Sequence, residues 1–195
     1  MSLTFDDGPG PGTEKVLEIL RRYNVKATFF MGGLQAARYP AAVKQAAAEG
    51  HEIGSHTYGH TDYYHYTKDD KRQLLAQEMD RGREVLEKIL GSAPRLLRMP
   101  HGYVRNWVKE LAREKGYVLV NWTFGADWTI KDPQALADAY IANIVPGAIF
   151  LMHDAGKNRR NTLEALPKII EEIQKRGFTI TPVGTLLEQN ENRKP

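Results

Sequence analysis

The sequence contains no cysteine, which excludes disulfide bonds, thiol nucleophiles and thiolate metal ligands. Long apolar runs are also missing, because no stretch approaches the roughly 18 apolar residues that a membrane-spanning helix needs. The charge surplus is small: 27 basic and 24 acidic residues give a formal net charge of +3. A surplus this small and scattered argues against nucleic acid, and we expect neither a nucleic-acid partner nor an integral membrane segment.

No export signal is visible at the start of the chain, because the charged pair Asp6 and Asp7 follows only a short apolar stretch after Met1. The first predicted strand, at residues 2–5, is abruptly short. We therefore expect a trimmed or processed form of a longer protein. The missing signal is therefore only weak evidence for a cytoplasmic location, and the location of the protein stays open.

The remaining composition is typical of one folded domain: 195 residues, 42% hydrophobic and 26% charged, can bury a continuous core. Short β-rich runs alternate with longer runs of helical period. Strands are predicted at residues 2–5, 27–31, 52–53, 95–98, 117–122, 148–152 and 178–181. Helices are predicted at residues 13–23, 41–49, 68–90, 106–115, 133–145 and 162–176, before a short final helix. About seven β/α units imply a parallel sheet, and their order alone leaves open whether it closes into a barrel.

Polar residues collect at the predicted carboxyl ends of the strands, where ligands bind in parallel β/α folds. They are Asp6 and Asp7 after the first strand, His56 and His60 after the third, Arg98 at the end of the fourth, Asp127 beyond the fifth, and His153 with Asp154 at the end of the sixth. Because these strand ends meet at one edge of the sheet, the sequence predicts a single functional rim.

The histidines at the two ends of segment 56–60 lie four residues apart. If the backbone is helical there, both imidazoles lie on one face and can bind one cation. The alternative is a structural pair that caps or hydrogen-bonds a surface loop. Asp7 can supply a third, oxygen ligand and leave positions open for water and substrate, as catalytic metal sites require.

A general base has to come from outside this histidine pair. Zincin peptidases carry a glutamate after the first histidine, but Thr57 occupies that position here. Asp6 is the nearest candidate, although Asp6-Asp7-Gly8-Pro9 is also consistent with a plain turn. Adjacent carboxylates at a strand end point in different directions, so one can hold a metal while its neighbour holds the attacking water.

Five segments follow one another in a recognisable order. They are Leu-Thr-Phe-Asp6-Asp7-Gly8-Pro9, His56-Thr57-x-x-His60, Arg98-Met99-Pro100-His101-Gly102, Asp127-Trp128 and Leu151-Met152-His153. Together they resemble the five motifs of the NodB-homology polysaccharide deacetylases, carbohydrate esterase family 4. The resemblance extends over roughly residues 3–187. It implies a distorted (β/α) barrel and a single NodB-like domain spanning residues 1–195.

The resemblance also implies a cofactor and catalytic roles. It implies one divalent metal ion, with zinc expected and other divalent cations as alternatives, held by Asp7, His56 and His60. Asp6 corresponds to the general base and His153 to the general acid. Arg98 resembles the residue that positions the base, and Asp127 resembles the partner that tunes His153.

Three further positions are implied to contact the substrate. Trp128 and Leu151 resemble the apolar walls around the acetyl methyl group, and the backbone N–H of His101 matches the oxyanion donor. Two positions depart from the family pattern: Phe124 stands where another aspartate is frequent, and His101 stands where an aromatic or other residue is usual. Neither departure removes a ligand or an acid–base group, so both bear on substrate preference more than on activity.

The implied activity is hydrolytic removal of N-acetyl groups from N-acetylhexosamine residues of a polysaccharide, with water activated by a metal. The substrate, an acetylated glycan, would be peptidoglycan, a chitin-like oligomer or an exopolysaccharide. The resemblance implies an extracytoplasmic or cell-wall location, and the oligomeric state stays open. One alternative is a hydrolase of a small cyclic amide, imide or ureide on the same fold. Another is an inactive carbohydrate-binding domain, although no ligand, base or acid is missing.

Several other polar and aromatic residues have two interpretations each. We expect His51 and His65 to be structural. The aromatic residues between Tyr58 and Tyr66 could stack on sugar rings or cover the core. Basic residues at positions 157, 159 and 160 could touch an anionic glycan, or could belong to a solvated loop that leads into the last long helix.

Overall fold

The computed structural model describes residues 1–156 and 159–191. Within them, seven parallel strands form one sheet in the order β5-β4-β3-β2-β1-β7-β6. Their bounds are β1 Ser2–Asp6, β2 Thr28–Met31, β3 Glu52–Ser55, β4 Leu96–Leu97, β5 Val118–Leu119, β6 Phe124–Gly125 and β7 Ile149–His153. The sheet curls into a half-barrel, with β5 and β6 at its two edges. This arrangement confirms the expected parallel sheet and distorted barrel.

Eight α-helices accompany the sheet in the described residues. Their bounds are α1 Thr13–Arg22, α2 Gly33–Arg38, α3 Pro40–Ala48, α4 Lys71–Leu90, α5 Asn106–Glu114, α6 Pro133–Ala142, α7 Arg160–Lys175 and α8 Val183–Glu191. None of these described helices combines the length and apolar character needed to cross a membrane.

The helix bounds follow from local chemistry. In α1, Val16 and Leu20 are buried one turn apart, as an amphipathic helix requires. Helix α6 begins after Asp132, whose side chain accepts a hydrogen bond from the backbone N–H of Ala135. Helix α4 ends at Gly91, which has a φ of 78° and forms a left-handed cap.

The central strands β1, β2 and β7 are buried and largely apolar, as expected of parallel strands. Phe5 and Phe29 stack across β1 and β2 with their ring centroids 5.2 Å apart. Burying one such side chain stabilises the fold by about 1.5–3 kcal/mol. The pairing of β1 with β7 aligns Asp6 with His153 at the carboxyl end of these two strands.

The predicted strand at residues 178–181 is wrong. The segment lies beside the start of β1, where Thr181 N donates to Met1 O at 3.0 Å and Ser2 Oγ donates to Thr181 O at 2.7 Å. No ladder forms because β1 already pairs with β2 on one side and β7 on the other.

Two short elements were not predicted from the sequence. Strand β6 has only two residues, too few for a period, and helix α2 has six and begins with glycine. Because β6 exists, Asp127 follows the sixth strand and His153 ends the seventh, one strand later than expected. The predicted strand at 117–122 contracts to Val118–Leu119.

Candidate active site and metal centre

The carboxyl ends of β1, β3, β4, β6 and β7 meet at one cleft with a volume of about 560 Å³. The residues predicted at the functional rim or in contact with the substrate all line this cleft except two: Arg98, which is buried directly behind Asp6, and Asp154, which faces the protein interior. The sheet therefore brings together residues that are up to about 150 positions apart in the sequence.

Asp7, His56 and His60 converge on one point, with their ligand atoms all within 4.8 Å of one another. The Nε2 atoms of His60 and His56 lie 3.2 and 3.6 Å from Oδ1 of Asp7. Among the described residues this buried Oδ1 has no hydrogen-bond partner. A buried oxygen without a partner is costly, and a cation between it and the two imidazoles would satisfy all three groups. The donor set therefore fits a divalent metal ion.

His56 is oriented by the end of the neighbouring strand. Its Nδ1 lies 2.8 Å from the carbonyl oxygen of Arg98, and because a carbonyl only accepts, Nδ1 carries the proton. This tautomer leaves the lone pair of Nε2 directed towards Asp7. Burial lowers the pKa of His56, which favours the neutral ring that a metal requires.

The two carboxylate oxygens of Asp7 face different partners. Oδ1 faces the imidazoles, whereas Oδ2 lies 3.6 Å from Nη2 of Arg159. Burial alone would raise the pKa of Asp7, but the imidazoles of His60 and His56 outweigh burial and hold this pKa below its ordinary value. Asp7 is thus ionised at neutral pH, as a carboxylate ligand must be.

The helical backbone considered for segment 56–60 is not observed. Thr57 and His60 have left-handed φ values of 62° and 58°, and the segment is an irregular loop after β3. The two imidazoles nevertheless meet edge to face, with ring centroids 4.9 Å apart. Asp7 is also left-handed, with a φ of 71°. Such non-glycine residues cost roughly 1–3 kcal/mol each, so the surrounding structure has to hold the ligands in place.

Asp6 is almost completely buried, and Arg98 holds it from behind. Nη1 of Arg98 donates to Oδ1 of Asp6 at 2.8 Å. The rest of the guanidinium donates to the carbonyl oxygens of Val120 and Asn121, at 3.3 and 3.0 Å, in the connection between the two edge strands. Oδ2 of Asp6 lies 3.9 Å from Nε2 of His56. One oxygen of Asp6 is therefore anchored while the other faces the metal ligands.

His153 forms a tight pair with Asp127 on the opposite side of the cleft. Its Nδ1 lies 2.7 Å from Oδ1 of Asp127, and its backbone N–H donates to Oδ2 at 2.8 Å. Thr162 and Asn161, at the start of α7, donate to the side chain and backbone of Asp127. Burial alone would lower the pKa of His153, but the hydrogen bond and charge of Asp127 outweigh burial and raise it. His153 therefore keeps its proton to a higher pH than an ordinary histidine.

An apolar wall stands next to this pair. Trp128 meets His153 edge to face at 5.6 Å between ring centroids and is 43% exposed, whereas Leu151 is buried. Across the cleft, the ring of His101 lies 4.8 Å from the ring of His60, and His101 has a left-handed φ of 55°. The cleft is therefore bounded beside His153 by buried Leu151 and by Trp128, whose ring is partly exposed to solvent.

The interpretation of residues 157–160 as a solvated loop does not apply to Arg159. Its side chain is only 13% exposed, lines the cleft beside Asp7, and donates from Nε to the carbonyl oxygen of Ala155 at 2.6 Å. Arg160 instead points outward and pairs with Glu164. Lys157 lies outside the described residues. Two adjacent arginines look alike in the sequence, and only their tertiary surroundings separate them.

His51 and His65 lie outside the cleft, which agrees with the structural role expected for them. His51 is buried, and burial lowers its pKa to about 4. The side chain of His65 is 88% exposed. Asp154 turns away from the cleft into the protein, where it accepts a hydrogen bond from Thr13, and burial raises its pKa to about 7.

Comparisons with known proteins agree with this geometry. Residues 1–120 match the sequence model of the polysaccharide deacetylases. The chain is 38% identical over 191 residues to a peptidoglycan-N-acetylglucosamine deacetylase of Bacillus cereus, covering 96% of this chain and 87% of the relative. It is 34% identical over 199 residues to the peptidoglycan-N-acetylmuramic acid deacetylase PdaA of Bacillus subtilis, covering 99% and 73%. The solved structure of the T48 deacetylase with substrate is similar at a TM-score of 0.86 and 33% identity, covering 96% and 90%.

The chain therefore belongs to the polysaccharide deacetylase family, carbohydrate esterase family 4. Its class is that of the hydrolases that remove acetyl groups from polysaccharides. The family is metal-dependent, and the described residues include one Asp-His-His group able to hold a metal ion.

Proposed function

We propose that residues 1–195 form a single catalytic domain that removes N-acetyl groups from N-acetylhexosamine residues of a cell-wall glycan. The observation that carries this proposal is the arrangement at one cleft of two complementary groups. One is the ligand set around the unpartnered Oδ1 of Asp7, and the other is the His153–Asp127 pair. Amide hydrolysis requires an activated water on one side of the carbonyl carbon and a proton for the leaving nitrogen on the other.

Asp7, His56 and His60 would hold the metal, with zinc as the ion best matched by two imidazole nitrogens and one carboxylate oxygen. When bound, a divalent ion of this kind polarises the acetyl carbonyl and acidifies water. Arg159 contacts the other oxygen of Asp7, so it would orient this carboxylate with Oδ1 towards the ion.

Asp6 would accept the proton of the attacking water. Arg98 anchors its Oδ1, so the free Oδ2 is the proton acceptor, and this oxygen faces the ligand side of the cleft. Since Arg98 is wholly buried and bonded to backbone carbonyls, the base has little freedom to rotate away. The backbone N–H of His101 would donate to the developing oxyanion.

His153 would donate the proton to the leaving amine. Asp127 occupies Nδ1, so Nε2 is the nitrogen free to act as the acid. Asp127 raises the pKa of His153 and so favours the protonated ring, which is the state that a general acid needs. Trp128 and Leu151 would enclose the acetyl methyl group beside it.

The relatives supply the substrate class. They include peptidoglycan deacetylases for N-acetylglucosamine and for N-acetylmuramic acid, and a chitooligosaccharide deacetylase of Bradyrhizobium. The partly exposed ring of Trp128 at the cleft would offer a contact surface to neighbouring sugars of a polymer, which a small cyclic molecule does not have. We therefore propose an acetylated cell-wall glycan as the substrate and an extracytoplasmic site of action.

Release of acetate from peptidoglycan and from chitooligosaccharides by zinc-loaded protein tests this proposal. Activity should rise from the monosaccharide to the tetramer, because binding of remote sugars aids the reacting centre. Full activity in demonstrably metal-free protein would contradict the mechanism. Faster hydrolysis of a cyclic imide or ureide than of any acetylated glycan would favour the small-molecule alternative instead.

A further inference from the structure

The loop at residues 56–60 carries two of the three ligands and lies between α2 and α4. From one side, the first amides of α2 hold it: Gly33 N donates to Thr57 O at 2.9 Å, and Leu34 N donates to Tyr58 O at 3.0 Å. These bonds hold the middle of the loop. They leave Gly59 and His60, the last part, to be held from the other side.

Helix α4 approaches the loop from that other side. Gly82 permits the approach, because a Cβ atom there would lie 2.8 Å from the carbonyl oxygen of Thr57. Glu78 lies four residues earlier and hence on the same face of α4. It is only 8% exposed, and its Oε2 accepts a hydrogen bond from the backbone N–H of Gly59 at 2.6 Å.

A carboxylate at this position needs an explanation, because burying a charge costs free energy that an apolar residue would not incur. A short hydrogen bond to a charged acceptor is roughly twice as strong as a neutral one. Here the bond restrains Gly59, the residue directly before His60. His60 has a left-handed φ of 58°, and its Nε2 lies 3.2 Å from Oδ1 of Asp7.

We propose that Glu78 is a positioning residue for the metal ligand His60, an assignment that rests on the function proposed above. Glu78 fixes the backbone at Gly59 so that the imidazole of His60 is directed at Asp7 before the metal arrives. Without this bond the loop relaxes from its left-handed conformation, and metal binding has to reorder it. The cost appears as weaker metal binding and a distorted coordination geometry.

The test titrates the metal-free protein with Co²⁺ and records the visible absorption spectrum, alongside acetate release at saturating zinc. Glu78→Ala removes the acceptor, and Glu78→Gln keeps an acceptor oxygen of the same length. Glu84→Ala, at an exposed position of the same helix, is the matched control. We expect Glu78→Ala to weaken Co²⁺ binding by roughly 10–100-fold and to alter the spectrum. Glu78→Gln should recover most of the affinity and the original spectrum, and Glu84→Ala should match the parent protein.

Should Glu78→Ala fail to fold, Glu78→Asp serves in its place, since it keeps the charge but withdraws the carboxylate by one methylene. Equal Co²⁺ affinity and equal spectra for the folded Glu78 variants and Glu84→Ala would overturn the inference. A loss of thermal stability with unchanged affinity would also overturn it, since that is the result of a purely structural role. A parent protein that binds no Co²⁺ and releases no acetate would instead refute the proposed function.

Discussion

The two sides of the cleft present their functional groups in different ways. On the metal side, Asp7 and His60 lie in loops with left-handed φ values of 71° and 58°, and Oδ1 of Asp7 has no hydrogen-bond partner among the described residues. On the acid side, His153 is the last residue of a regular buried strand, and both its backbone N–H and its Nδ1 are bonded to Asp127.

The two sides therefore differ in the contacts that hold their functional groups in place. Hydrogen bonds within the protein complete the acid side: Asp127 accepts from His153, and Thr162 and Asn161 of α7 donate to Asp127. The metal side has strained, left-handed backbone. It also has an oxygen without a hydrogen-bond partner, which a bound cation would satisfy. We therefore expect the metal side to gain stability when the ion binds, whereas the acid side is already complete without it. The following predictions test this contrast, beginning with the largest expected effect.

His60→Ala should abolish measurable turnover and weaken zinc binding sharply, because it removes one of three ligands while leaving the core untouched. Isothermal titration with zinc and an acetate-release assay would measure both effects. His65→Ala is the matched control, since the side chain of His65 is 88% exposed and pairs with Asp62 away from the cleft. Equal zinc affinity in the two variants would show that His60 is not a ligand.

Asp6→Asn should retain metal and lose about 10²–10⁴-fold in kcat, the usual value of general base catalysis. The amide keeps an oxygen for Arg98 but cannot accept the proton of water. Arg98 also loses its buried counter-charge, so the melting temperature should fall. Metal content, kcat and melting temperature measured on one preparation separate these effects. Loss of the metal would place Asp6 among the ligands.

Asp127→Asn should move the basic limb of the pH profile of kcat/KM to lower pH by roughly 1–3 units. Asp127 raises the pKa of His153, and above that pKa the ring is neutral and cannot protonate the leaving amine. Removing the charge lowers the pKa, so activity disappears at lower pH. With an activated ester as substrate, the pH profile should have no such basic limb in either protein, because the leaving group of the ester needs no proton. A limb that does not move would show that another group sets it.

Zinc should stabilise the protein against unfolding by about 2.7 kcal/mol at 100 times its dissociation constant. For a chain of this size that is a rise of about 5–10 °C in melting temperature. His153→Ala should show the same rise, because the acid side does not bind the ion, whereas His60→Ala should show little. An equal loss of the rise in both variants would contradict the independence of the two sides.

Much of this description could be predicted from the sequence. Local patterns predict the parallel β/α order and most helix positions, because each buried strand and amphipathic helix has its own period, whereas the five motifs are recognised by their resemblance to a known family. The titratable residues around the cleft are predicted at one rim because strand ends meet at one edge of a parallel sheet, whereas His101, Trp128 and Leu151 are implied by the family resemblance. Their catalytic roles stay predictions until the variants above are measured.

The tertiary structure alone decided the rest. Segment 178–181 has the composition of a strand but finds both edges of β1 occupied. Segment 56–60 brings two imidazoles together through an irregular loop rather than a helical turn, because contacts with α2 and α4 determine its backbone. Arg159 and Glu78 differ from Arg160 and Glu84 only in which neighbours surround them. Sequence patterns report the preferences of one segment, whereas these features arise from contacts between segments far apart in the chain.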